Sequence, residues 1–145
     1  MANLFKCTFD TKPLAPALSK YRKDIEKLVN KELSDAAKKI ASNAKANCTI
    51  PSIAGTIKTV KEGKTQKVSV GQGLQDPEIA AYHEFGTGDF ARSTVSGLPE
   101  DWVQYAATFI KNGQGRLPAS PYLYRAYWSV STGIKEDLMS KINNI

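Results

Sequence analysis

Between about Ser19 and Ala46 the apolar residues Ile25, Leu28, Val29, Leu33, Ala36, Ala37, Ile40 and Ala44 recur at steps of three and four, with lysines and carboxylates between them. That spacing is the signature of one amphipathic α-helix. Roughly 27 residues at about 1.5 Å each make a rod about 40 Å long, well beyond the usual three-turn helix of a globular domain. Such a rod has to lie across a sheet or reach a neighbouring chain to bury its apolar stripe. Pro13 and Pro16 mark the turn into it, and Cys48-Thr49-Ile50-Pro51 breaks it, because the residue before a proline disfavours helix.

The remaining elements are short. Leu4 to Asp10 alternates as a strand, with Phe5, Cys7 and Phe9 on one face. Thr56 to Val60 and Gln66 to Val70 flank the polar stretch Lys61-Glu-Gly-Lys-Thr65, the layout of a β-hairpin that turns at Gly63. In the second arm Gln66, Val68 and Val70 share one side; the register of the first arm stays open. Asp76-Pro77-Glu78 starts a short helix with an N-cap, a proline and an acid in the first turn, and Gly86 ends it. Pro99-Glu-Asp-Trp opens a second short helix carrying Trp102, Tyr105, Ala106 and Phe109. A last helix runs from about Ser120 to Ile142 with Leu123, Tyr127, Val130, Ile134, Leu138 and Ile142 on its buried side.

One strand, a long helix, a hairpin and further helices, with no βαβ alternation, give an α+β class: a small antiparallel sheet packed by one long N-terminal helix and a C-terminal helix. The 145 residues, 41% hydrophobic and 23% charged, suit one ordinary domain. Neither a signal-peptide h-region nor a run of about 18 apolar residues occurs, so the expectation is a chain made and kept in cytosol, without a membrane partner. Cys7 and Cys48 lie far apart and outside any CxxC pattern, which predicts two small buried or half-buried hydrophobes.

Charge is unevenly placed. Residues 1–67 carry 14 basic and 6 acidic groups, whereas 68–145 carry 6 and 8. A basic half fits nucleic acid, an acidic protein neighbour, or a merely solvated helix face. Lys58, Lys61, Lys64 and Lys67 crowd the hairpin and are candidates for a basic tip that contacts DNA or an acidic partner.

Motifs for bond-making chemistry fail one by one. His83-Glu84 begins like the zinc-protease HExxH, yet position 87 is Thr and the chain has one histidine, so two imidazoles cannot meet on a metal. Gly71-Gln-Gly73 and Gly86-Thr-Gly88 continue into neither a Walker lysine nor a GxGxxG fingerprint, and are better explained as positions of positive φ. Without a second histidine or a nucleophile elbow no triad can be proposed. The sequence therefore predicts no catalytic residues, no metal and no cofactor. What stands out instead is Pro121-Tyr-Leu-Tyr-Arg-Ala-Tyr-Trp128. On a helix, Tyr122, Leu123, Tyr124, Tyr127 and Trp128 cover more than one face, and aromatics with arginine are the residues enriched at interface cores.

The order of these elements, with the segments Ala37-Lys-Lys-Ile-Ala-Ser-Asn-Ala-Lys45, Ile50-Pro-Ser-Ile-Ala-Gly55, Ile79-Ala-Ala-Tyr-His-Glu-Phe-Gly-Thr87 and Ala119-Ser-Pro-Tyr-Leu-Tyr-Arg-Ala126, resembles the head-to-tail connector, or tail-completion (neck), proteins of long-tailed bacteriophages. The similarity spans nearly the whole chain, with residues 90–116 as an insertion. It implies a structural virion protein without cofactor, assembled in the host bacterial cytoplasm into a ring, commonly a hexamer, at the head-tail junction. Its partners would be copies of itself, the connector or head-completion protein, and the tail tube or tail terminator, with at most weak contact to DNA in transit. A ring needs heterologous contacts. Glu84, Phe85, Gly86 and Thr87 on one side and Tyr122, Leu123, Tyr124, Arg125 and Trp128 on the other are the expected interface residues, and Tyr122 and Tyr124 are expected to be replaceable by Ser without unfolding the subunit. A structural role for Glu84, accepting hydrogen bonds from backbone amides, is the alternative. The rival from another class is a basic nucleic-acid-binding protein using Lys20, Arg22, Lys23, Lys27, Lys31, Lys38, Lys39 and Lys45 together with the hairpin lysines, although five acidic residues lie within residues 1–47.

Overall fold

A computed structural model describes residues 14–87, 100, 102–104 and 117–145. The amphipathic stretch forms one helix, α1, Leu14–Asn47, about 50 Å long at 1.5 Å per residue. It begins about five residues before the expected start. Pro16 is tolerated because it falls in the first turn, where its missing N–H has no intrahelical acceptor to lose. Burial rises along the helix: Leu18 is 64% and Tyr21 44% exposed, Leu28 and Leu33 are half-buried, and Ala37, Ala41 and Ala44 are buried. Three methyl side chains on one stripe let other elements approach the α1 backbone closely.

After Cys48–Ile50 the expected break is followed by a single helical turn, α2, Pro51–Ala54, with proline at its first position and Ile53 fully buried. Thr56 ties this turn to the hairpin. Its hydroxyl donates to the Ile53 carbonyl at 2.7 Å and accepts the Gly71 N–H at 2.8 Å.

The hairpin consists of β1, Lys58–Glu62, and β2, Thr65–Ser69, paired antiparallel from Lys58↔Ser69 to Glu62↔Thr65. The connection is therefore the two-residue Gly63-Lys64, shorter than the five-residue polar stretch expected. Gly63 at φ 60° before a residue of negative φ matches a II′ turn, which suits the twist of paired strands. Pairing captures Lys61, Glu62 and Thr65 despite their polarity. Gln66 and Val68 are half-buried and Lys67 is exposed, as the alternation predicts.

Two further helices follow: α3, Glu78–Phe85, and α4, Leu123–Ile142. The Asp76 carboxylate accepts the Glu78 N–H at 3.2 Å, but Pro77 takes the N-cap position of α3, so the expected cap residue lies one position before it. Among the described elements, the packing of α4 on α1 is the most extensive. The two run antiparallel, since Asn47 Nδ2 donates to the Tyr122 carbonyl at one end (3.4 Å) and Lys141 pairs with Glu32 at the other (2.7 Å). On α4, Leu123, Val130, Ile134, Leu138 and Ile142 are half-buried, but Tyr127, expected on the buried side, is 42% exposed. The core is Ala41, Ala44, Ile53, Ile57, Ala80, Tyr122 and Ala126, with Ile40, Val68, Val70 and Leu123 packed around it. The fold is α+β, a long N-terminal helix with a two-stranded antiparallel sheet and a C-terminal helix packed together.

Cys48 is free and half-buried, with its Sγ 3.5 Å from the Ile50 carbonyl. The strand expected at Leu4–Asp10, Cys7 and most of the 90–116 insertion lie outside the described residues; of the second short helix, Glu100 and residues 102–104 are described and helical. No helix among the described residues is long and apolar enough to cross a membrane.

Candidate functional site

The first N–H groups of any α-helix lack intrahelical partners. At α4 they are met by a side chain from α3. Glu84 Oε2 accepts the N–H groups of Tyr122 (2.8 Å) and Leu123 (2.9 Å), and Oε1 accepts that of Tyr124 (2.8 Å). A carboxylate placed there also faces the positive end of the helix dipole. Glu84 is 4% exposed. Burial pushes its carboxyl above the ordinary range, while the three amides and then the nearby Arg125 guanidinium pull the other way.

The chain around Glu84 is held on both sides. Gly86 closes α3 at φ 77°, ψ −173°, a region open essentially to glycine alone, and its N–H donates to the Tyr82 carbonyl. Thr87 then makes a double link to the chain returning before α4: its N–H donates to the Leu117 carbonyl and its hydroxyl accepts the Leu117 N–H, both at 3.0 Å. The His83 carbonyl accepts the Ser120 N–H at 2.8 Å. Thr87 and Leu117, 30 residues apart in sequence, thus lie side by side.

Tyr122 is buried, and its hydroxyl donates to the Ala80 carbonyl at 2.9 Å. Burial, with the Glu84 carboxylate behind it, holds that hydroxyl protonated far above the usual tyrosine range. From the same helix end an aromatic series leads outward. Phe85 meets Trp102 edge-on at 5.8 Å, Trp102 meets Tyr124 edge-on at 5.5 Å, and Tyr124 stacks on Trp128 at 6.2 Å. Trp128 is 56% exposed, and Arg125 is exposed beside it. Trp102 stands between two apolar hollows: one of about 270 Å³ against Pro77, Ala81 and Phe85, and one of about 330 Å³ between α1 and α4, against Leu33, Ile40 and Val130.

The expected interface set is therefore divided. Glu84, Phe85, Gly86, Thr87 and Tyr122 are buried within the subunit, Leu123 and Tyr124 are half-buried, and only Arg125 and Trp128 are exposed. This corrects the expectation that Tyr122 tolerates serine: its ring fills the core between α1, α2 and α3. The structural alternative for Glu84 describes its geometry. Trp102, absent from the expected set, joins the two motifs; its place in an amphipathic helix start was the available signal, but its partners are distant in sequence.

The hairpin lysines are less available than their number suggests. Lys64 lies 3.8 Å from Glu26 of α1, so the tip leans on the helix, and Lys67 is paired with Glu62. The register puts Lys58 and Lys67 on one face of the ribbon and Lys61 on the other.

Chemically, both Glu84 oxygens are engaged by backbone amides, so the residue holds chain segments together. No group of three metal-binding side chains occurs among the described residues. Compared with protein-family models, curated proteins and solved structures, the chain matches none of them.

Proposed function

We propose that this protein is a non-enzymatic structural subunit of the head-tail junction of a tailed bacteriophage, a neck or tail-completion protein that works as part of an oligomeric ring between the connector and the tail tube. The observation that carries the reading is the exposed end of the aromatic series, Trp128 with Arg125 beside it, on a helix whose start is fixed by Glu84. Tryptophan and arginine are among the residues enriched at the energetic centres of protein interfaces. A heterologous ring contact would set this surface against a different surface of the next copy. Two of the segments that resemble the phage family, Ile79–Thr87 and Ala119–Ala126, meet through the Glu84 cap, which supports reading them as one structural unit.

The test is mass by light scattering across concentration and salt, with negative-stain imaging of large species, on the wild type and on Trp128→Ser. Rings, alone or on addition of connector or tail proteins, that are lost in the variant support the proposal. A wild type that stays monomeric with those proteins present would remove it.

A further inference from the structure

The N-terminal basic excess has a geometry that its sum conceals. On α1 the lysines 20, 27, 31, 38 and 45 follow at steps of seven, four, seven and seven residues. Seven residues turn a helix by about −20° and four by about +40°, so all five lie within about 40° of one line. The line is about 38 Å long at 1.5 Å per residue. Each of the five is exposed and none takes part in an ion pair among the described residues, unlike Lys64, Lys67 and Lys141. The opposite side of α1 is taken up by α4.

A second feature continues the line. Where α1 passes β1, Lys38 and Lys45 meet Lys58 around a shallow hollow that Ser42 and Thr59 also line, with no carboxylate in its wall. Three ammonium groups and two hydroxyls around an open hollow suit an oxyanion with several acceptor oxygens. The nearest carboxylates along the stripe, Asp24 and Asp35, sit to one side of it, about 40–60° around the helix.

We propose that this lysine stripe, ending in the Lys38–Lys45–Lys58 hollow, is a contact surface for the phosphate backbone of duplex DNA. A straight row of point charges matches a rod-like polyanion carrying one charge per about 1.7 Å of axis, better than it matches the irregular charge of a folded acidic protein. Lysine bonds to phosphate as a point charge, and the row holds no arginine, asparagine or glutamine whose planar fork would read a base edge in two bonds. Binding is therefore independent of sequence. It does not depend on ring formation.

The experiment is fluorescence anisotropy of two labelled duplexes of unrelated sequence with the full-length protein over a series of salt concentrations, with light scattering on the same samples. Five to six phosphate contacts predict equal affinity for both duplexes and a slope of log K against log salt of about −4.5 to −5.4. Lys31→Gln/Lys38→Gln/Lys45→Gln, whose fold is checked by circular dichroism, should lower the magnitude of the slope by about 2.7. A slope unchanged in the triple variant, or carried instead by Lys64→Gln/Lys67→Gln, would overturn the assignment. So would the absence of binding at low salt, or equal competition by polyglutamate at matched charge, which would point to an acidic protein. The scattering reports separately on the ring.

Discussion

Glu84 Oε2 accepts the backbone N–H of Tyr122 at 2.8 Å across 38 residues of sequence. A helix start is usually capped by a residue beside it; here the cap comes from another helix, so local order at α4 depends on the tertiary position of α3. Removing the carboxylate strands amides of three successive residues. Glu84→Ala should cost about 2–4 kcal/mol, read as a lower urea midpoint, whereas Glu84→Gln, which keeps one accepting oxygen, should cost less.

The pH dependence of that contribution has a definite sign. Burial holds the Glu84 carboxyl above its ordinary value of 4.5, so the folded chain binds this proton more tightly than the unfolded chain. The stability linked to this proton is complete below about pH 4.5 and is lost as pH rises through the shifted value. Wild-type stability relative to Glu84→Gln should therefore decline over that window and then level. A rise, measured by urea unfolding at a series of pH values, would mean that the three amides outweigh burial.

Tyr122 contributes through its ring more than through its hydroxyl. Tyr122→Phe should cost about 1 kcal/mol for the lost bond to the Ala80 carbonyl. Tyr122→Ser leaves a cavity in the core and should cost about 3–5 kcal/mol, enough to threaten folding. Thermal unfolding of the two variants side by side separates the effects.

Trp128 should behave in the opposite way. More than half exposed, it adds little to the subunit's own stability, so Trp128→Ser should shift stability by less than about 1 kcal/mol. Loss of ring assembly with an unchanged melting transition is the expected result by light scattering and calorimetry.

Gly86 has φ 77° and ψ −173° at the end of α3. Gly86→Ala should cost about 1–3 kcal/mol and displace Thr87 from Leu117. Loss of amide-exchange protection at Leu117 would show it.

Local pattern was enough to place α1, the hairpin, α3 and α4, because each rests on its own periodicity and stop residues. Pro16 moved the start of α1 because a proline can end an approach or sit inside a first turn, and neighbouring residues do not distinguish the two. The turn shortened to Gly63-Lys64 because cross-strand pairing draws polar residues into strands wherever a II′ geometry is open.

By itself the sequence determined the long helix, the hairpin, α3 and α4, the basic half, the half-buried setting of Cys48 and the two motifs around Glu84 and Tyr122. Only the tertiary structure decided what those motifs do. Whether a tyrosine or a carboxylate faces solvent depends on which distant backbone packs over it: Tyr122 and Glu84 are covered by one another's helices, while Trp128, one helical face away, is not. The lysines divide for the same reason, since the hairpin brings Lys64 and Lys67 into ion pairs, while the row on α1, with Asp24 and Asp35 to one side, holds no ion pair among the described residues.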